Sequence, residues 1–449
     1  MKTLNLIMAI GLICTLNWGC EKFLDETPNK RLAVAATLQD YQALLDQYYN
    51  INTLDAAAGE VSSDDYYVTD ADWAKQSETD RRMYVWEKDN IFPAQINDWY
   101  YTYTPVYRCN TVLDGIDEVA VNSKTIVEKN NIKGQAYFLR ARSFLNAVLI
   151  WAKAYHPQTA ATDLGIPLKL SPNFNEISVR ASIAASYGRI IADLESGIPL
   201  LPNTPSHVMR ASKPAAYALM ARTYLAMNDY ARAGLYADSC LKLKGDLIDY
   251  NTLTASAAYP LTQFNKEVLF SATMSTPNIL TSTYARVVPS LYDSYANNDL
   301  RKVIFFRKNT DGSYAYKGSY DGSFSQFTGI ATNEVYLMRA ECAARVGKVT
   351  EALADLNLLL RNRYAKPFVN VVQTEKELLI AQILTERRKE LLFRGLRWLD
   401  LKRLNQLGHG VSLSRTVNGN AYTLPANSAR FTLTIPESVI AISGMTQNP

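Results

Sequence analysis

"AAYALMARTYLAMNDYARAGLYADSCLKL" (215–243) and "NEVYLMRAECAARVGKVTEALADLNLLLRNR" (333–363) repeat one pattern. In the first, Tyr217, Ala221, Tyr224, Tyr230, Ala233 and Cys240 stand where a tetratricopeptide repeat places its aromatic, small and small-to-medium residues. Tyr336, Ala340, Gly347, Ala352 and Leu359 fill the same register in the second, without a gap. Alanine at 221 and 340 lets paired helices approach closely, and Asn228 and Gly347 fall where each pair must turn. Each copy therefore predicts a helical hairpin. Such hairpins cannot bury their apolar faces alone and need about three stacked units.

Partners for the two repeats are legible elsewhere in the chain. Thr37 is a capping residue ahead of Leu38, Tyr41, Leu45 and Tyr48 at helical spacing. Trp99, Tyr103, Val106, Asn110 and Leu113 form one stripe; Ala136, Leu139, Ser143, Phe144, Ala147, Val148 and Trp151 form another. A further helix is expected from about Ala181 to Glu195, burying Ile183, Tyr187, Ile191 and Leu194. Between the repeats, about 245–330, the composition turns to Ser, Thr, Asn, Gly and Tyr, with Asp-Gly turn signals in "TDGS" and "YDGS". The predicted fold is mostly α: tetratricopeptide-like hairpins in a right-handed superhelical scaffold, a loop-rich irregular insertion and few short strands.

At the amino terminus Lys2 precedes the apolar run Leu4–Leu16, with the small residue Gly19 just before Cys20. Thirteen residues cannot cross a bilayer, which takes about 20. The pattern is that of a secretory signal over 1–19, cut so that Cys20 begins the mature chain. It resembles a lipoprotein signal, with Asn17 and Trp18 departing from the usual residues. An acyl anchor on Cys20 and a mature body over 20–449 are expected. No later stretch is apolar for long enough to span a membrane.

The chain has 449 residues, 47 basic and 43 acidic, a net charge of +4 without any basic run, which argues against nucleic acid. Beyond Cys20 lie Cys109, Cys240 and Cys342, each in a helical pattern; widely separated and odd in number, they support neither disulfides nor zinc and read as buried thiols. His156, His207 and His409 have no triad or metal-ligand spacing, and GxSxG, HExxH and phosphate-binding glycine loops are absent. An exported glycosidase would need only two carboxylates, which sequence alone does not exclude.

Twenty-eight tyrosines are the unusual feature of the composition. A sugar site needs an aromatic platform rimmed by carboxylates, amides or Arg. The segment 63–86 has that content in Asp64, Asp65, Tyr66, Tyr67, Trp73, Arg81, Tyr84 and Trp86, and the insertion adds Tyr314, Tyr316, Tyr320 and Phe324. The expected ligand-binding set is Trp73, Tyr66, Tyr67, Asp65, Arg81, Trp86, Tyr316 and Tyr320. Trp73 is the preferred platform because its neighbours are polar, whereas Trp99, Trp151 and Trp398 lie on helical stripes and belong to the core. The acidic runs "SSDD" and "TDAD" read as solvated turns that leave room for a structural calcium ion; no cofactor is expected. Glu386, Arg387, Arg388, Glu390, Arg397 and Asp400 read as ion pairs knitting two helices, with Gly395 at a helix end.

"CEKFLDETP" (20–28), "IPLKLSPNFNEISVRASIAASYGRIIADL" (166–194), the second repeat, "ILTERRKELLFRGLRWLDLKRL" (383–404) and the terminal "GMTQNP" together resemble the SusD/RagB family of outer-membrane lipoproteins. That resemblance implies four tetratricopeptide-like units with a variable, loop-rich face. It also implies a surface-exposed binding protein rather than an enzyme, associated with a SusC-like TonB-dependent outer-membrane barrel. The cargo would be an oligosaccharide or, in some branches, a peptide.

Overall fold

The computed structural model describes residues 35–449; the expected signal segment 1–19 and Cys20 lie outside the described residues. Ten described helices have eight residues or more. They are α1 (Leu38–Leu45), α2 (Asp98–Gly115), α3 (Ile126–Trp151), α4 (Ile183–Gly197), α5 (Lys213–Ala226), α6 (Tyr230–Leu243), α7 (Thr332–Arg345), α8 (Val349–Arg361), α9 (Lys376–Glu390) and α10 (Arg397–Gln406). Ten short described strands, β1 (Tyr66–Tyr67), β2 (Leu164–Pro167), β3 (Arg180–Ser182), β4 (Val268–Phe270), β5 (Arg286–Val287), β6 (Phe306–Lys308), β7 (Tyr314–Tyr316), β8 (Ile330–Ala331), β9 (Leu413–Val417) and β10 (Asn420–Leu424), pair into five two-stranded sheets, so the fold is mostly helical with few short strands, as expected. No described helix is long and apolar enough to cross a membrane.

The repeat pattern folds as its residues dictate. Ser212 caps α5 by accepting from the Ala215 N–H, and Pro214 sits in the first turn, where its missing donor costs nothing. Asn228 (φ 58°) and Gly347 (φ 83°) take left-handed backbone in the two inter-helix turns. Asp229 then caps α6 through the Arg232 N–H. Ala221 and Ala340 are fully buried, as are the thiols of Cys109, Cys240 and Cys342. Helices α5 to α8 pack each against the next, and α2, α3 and α4 do likewise.

Buried guanidinium–carboxylate pairs bolt these layers together. Arg140 grips Asp193 at 2.8 and 2.7 Å while its Nη1 donates to Asn110 Oδ1 at 2.9 Å, joining α2, α3 and α4. Arg222 holds Glu334 at 2.8 and 2.7 Å, joining α5 to α7. The carboxy-terminal "GMTQNP" serves the same scaffold. Asn448 and Arg180 donate to Trp151 O, and Lys402 Nζ donates to Leu149 O and Ala152 O, closing the end of α3. Trp99, Trp151 and Trp398 are buried, as their stripes predict.

The acidic and basic block 386–400 reaches further than two helices. Arg387 does join α9 to α10 through Asp400 at 2.8 Å. Glu386 and Glu390, however, pair with Arg301, and Glu390 also pairs with Arg363. Arg388 and Arg397 leave the helix pair altogether and bind Asp64 and Asp65. The reading of "SSDD" as a solvated turn is therefore corrected: guanidinium groups cover both carboxylates. Burial pushes Asp64 up, but the facing Arg397 outweighs it and the carboxyl falls to about 2. In "TDAD", Asp70 accepts from the Asn418 N–H at 2.9 Å and Asp72 pairs with Arg286 at 2.9 Å.

Candidate functional site

The aromatic segment 63–86 meets the insertion through one short pairing. Strand β1 (Tyr66–Tyr67) runs antiparallel to β5 (Arg286–Val287), placing Tyr67 opposite Arg286. Around it the segment 56–90 folds into three short helices, Ala58–Ser62, Asp70–Ala74 and Glu78–Tyr84, too brief to show a period in sequence. Asp98 caps the first, its Oδ2 accepting from the Ala57 and Ala58 N–H at 2.9 and 2.7 Å; burial, against those bonds, pushes its carboxyl up to about 6. Thr69 and Ser77 cap the other two. In the insertion, the Asp311-Gly312 turn joins the hairpin β6 (Phe306–Lys308) and β7 (Tyr314–Tyr316), as its composition predicts. Arg286 bridges Asp72 and Asp311, at 2.9 and 3.0 Å, tying the hairpin tip to the helix that carries Trp73.

Beside this seam the insertion forms a shallow cleft with only about 20 Å³ open inside, lined by Tyr259, Ser282, Tyr316, Lys317, Phe324 and Gln326 among others. Phe324 is 72% exposed and Tyr259 40% exposed, both at the rim. Tyr316 forms part of the wall and stacks on Phe393 at 5.0 Å. Gln326 Nε2 donates to Leu280 O, leaving its buried Oε1 without a protein partner among the described residues. Lys317 Nζ is held by Ala255 O and Ala257 O at 2.6 and 3.1 Å; burial, then Arg307, lowers its pKa. The lining thus offers aromatic faces, hydroxyls, an amide and one ammonium. Among the described residues, none that lines the cleft carries a carboxylate or an imidazole. Two wider grooves exist, of about 720 Å³ along α6–α8 and 760 Å³ beside α2, but neither is lined by the insertion.

The expected ligand set divides by burial. Tyr67, Trp73, Arg81 and Tyr316 are half-buried, with some surface in reach of solvent. Trp73 packs against the core with the Arg81 guanidinium 5.3 Å from its ring centroid, so the expected platform already carries a cation on its ring. Asp65, Tyr66, Trp86 and Tyr320 are corrected: all four are buried and hold the loops from within. Asp65 pairs with Arg388 at 2.8 Å, and Tyr66 donates to Val61 O at 2.8 Å. Trp86 Nε1 donates to Ser62 O at 2.9 Å, and Tyr320 donates to Glu267 at 2.6 Å. Tyr259, Ser282, Lys317 and Gln326 were not foreseen. Tyr259, an aromatic in the small-residue stretch "ASAAYP", carried the one usable sequence signal.

The fold and cleft define a class: a tetratricopeptide-type helical scaffold that carries an aromatic, carboxylate-free cleft on an irregular insertion. Residues 22–225 match the family described as "Starch-binding associating with outer membrane", and residues 253–439 match the SusD family. The chain belongs to the SusD/RagB family. A solved structure from Bacteroides vulgatus ATCC 8482 is similar, with a TM-score of 0.77 and 23% identity over 93% of this chain and 99% of that one. A SusD superfamily protein from Bacteroides thetaiotaomicron VPI-5482 gives 0.74 and 22%, over 92% and 100%. A laminarin-binding SusD-like protein gives 0.64 and 18%, over 92% and 100%. At these identities the likeness is one of fold. No curated protein matches this sequence.

Proposed function

We propose that the exposed aromatic rim of the cleft, Tyr259 and Phe324, binds a segment of a nutrient glycan at the cell surface, for delivery to a partner SusC-like TonB-dependent outer-membrane transporter. The chain is anchored in the outer membrane through Cys20 and performs no chemistry on its ligand. The observation that carries this reading is the lining. Exposed Tyr259 and Phe324 offer apolar faces to a sugar ring, and the half-buried Ser282 hydroxyl beside them meets its hydroxyl rim. Glycoside hydrolysis needs two carboxyl groups flanking the bond, and the lining has none. Support also comes from the starch-binding family match and the laminarin-binding neighbour. Tyr67, Trp73 and Arg81 extend the site along the β1–β5 seam.

Calorimetric titration of the chain from Glu21 onward tests this, using α- and β-glucan oligosaccharides, host glycans and short peptides. One glycan class binds saturably, and Phe324→Ala and Tyr259→Ala each weaken it about tenfold, about 1.4 kcal/mol. Trp73→Ala reports whether the site runs past the cleft. Binding of peptides alone, glycan binding unchanged in both cleft variants, or turnover of any ligand overturns the proposal.

A further inference from the structure

Behind the cleft lies a second cavity that the glycan reading does not use. Its walls come from the helix Ala58–Ser62, from α3, α5 and α10, and from the turn 391–396, with Asp55, Glu60, Arg222, Arg394 and Trp398 among them. Helix and α10 approach so closely that a Cβ on Gly59 would sit 3.2 Å from Trp398 Cβ. About 40 Å³ is open inside, against the 10–15 Å³ or so that one water needs.

Among the described residues, the charges on these walls pair off, with one exception. Arg222 is matched by Glu334, and Asp55 by Arg142. Glu60 accepts from the Gly395 N–H at 2.9 Å; burial, then nearby Asp65, pushes its carboxyl up to about 8, so it is protonated at neutral pH. Arg394 remains. It is 2% exposed, its Nη1 reaches only Asn333 Oδ1 at 3.4 Å, and its Nε and Nη2 have no protein acceptor among the described residues. The rings of Tyr320 and Phe327, 5.0 and 4.7 Å from the guanidinium, soften the burial without accepting those hydrogens. The Trp398 Nε1 donor is likewise buried without a protein acceptor. Buried donors left this way are costly.

We propose that this cavity binds one small monovalent anion of chloride size, held by Arg394 and the Trp398 indole N–H. The anion neutralises the one unmatched wall charge and fixes the turn 391–396. Phe393 of that turn, in left-handed backbone at φ 54°, is the ring on which Tyr316 of the cleft stacks. The anion therefore braces the wall of the glycan site without touching the glycan.

Bromide serves as the probe. Crystals of the mature chain soaked in sodium bromide should show an anomalous peak in this cavity. Melting temperature should rise saturably as sodium gluconate is replaced by bromide or chloride at fixed ionic strength. Trp398→Phe, which keeps the ring and removes the donor, should weaken the apparent halide affinity about tenfold, and Arg394→Gln should abolish the halide-dependent rise. If Arg394→Gln does not fold, the Trp398→Phe titration and the bromide peak decide the matter. A cavity filled by water alone in bromide, or a halide response unchanged in Trp398→Phe, overturns the proposal.

Discussion

Arg415 offers the sharpest test of how the aromatic segment is held. It lies on the hairpin formed by β9 (Leu413–Val417) and β10 (Asn420–Leu424), and its guanidinium enters the 61–86 segment with no carboxylate partner among the described residues. It donates instead to the carbonyls of Val61, Ser63 and Tyr84, and its carbon lies 3.7, 4.7 and 5.2 Å from the ring centroids of Tyr84, Trp86 and Tyr66. Arg415→Met keeps the aliphatic stem, so the loss is almost entirely polar. Three carbonyls lose a charged donor at about 1.5 kcal/mol each, and the cation–π contacts add about 1 kcal/mol. Methionine packing against the same rings returns about 1 kcal/mol. The net cost is about 4–5 kcal/mol, among the larger effects a point substitution produces. At about 2.1 cal/mol/K per residue, the unfolding entropy of a body this size makes that a fall in Tm of about 5 °C. Urea unfolding followed by tryptophan fluorescence measures it, and limited proteolysis should show cleavage opening first within 61–86. A cost below about 1 kcal/mol, or first cleavage elsewhere, would refute the view that these carbonyls depend on Arg415.

Further outcomes follow from buried ionisable groups. Glu60 keeps its proton in the folded chain up to about pH 8, whereas unfolded it loses it near 4.5, so stability contributed by this group falls as pH rises across that window. Glu60→Gln should flatten the fall, which amounts to at most about 5 kcal/mol, in denaturation series at pH 5, 6.5 and 8. Lys402 behaves oppositely: burial lowers its pKa from 10.5 to about 7, so the unfolded chain binds more protons between those values and stability rises with pH there. Lys402→Met should remove that rise, and an unchanged slope between pH 7 and 10 would count against the assignment. Glu334→Ala leaves Arg222 buried and uncompensated between α5 and α7, and should cost about 3–5 kcal/mol in urea unfolding. Replacing the pair together, as Arg222→Met with Glu334→Leu, should recover most of that loss.

Residues that act through local rules were legible from the chain alone. The Ala, Asn and Gly positions of the repeats, the Thr37 cap and the Asp-Gly hairpin each follow from steric and hydrogen-bond demands confined to a few neighbours. Trp99, Trp151 and Trp398 were placed in the core because period and polarity agreed. The candidate site was half legible. Its composition pointed to two segments that the fold brings near each other, yet four of the eight expected residues are buried. Composition does not separate buried aromatics from exposed ones, and Arg388, Arg397 and Arg415 come from the far end of the chain to satisfy the polar groups of this segment inside. Trp73 shows the limit from the other side, since only the fold brings Arg81 over its ring.

The helical hairpins, their close-approach alanines, the family and the irregular character of the insertion follow from the chain alone, because periodicity and turn chemistry are written in residues a few positions apart. Tertiary structure decided which aromatics face solvent. It brought β1 to β5, set Phe324 and Tyr259 on the rim, and sent Tyr66, Trp86 and Tyr320 inward. The reason is physical: burial depends on which distant cation or carbonyl arrives to pair with a polar group, and no local pattern encodes that arrival.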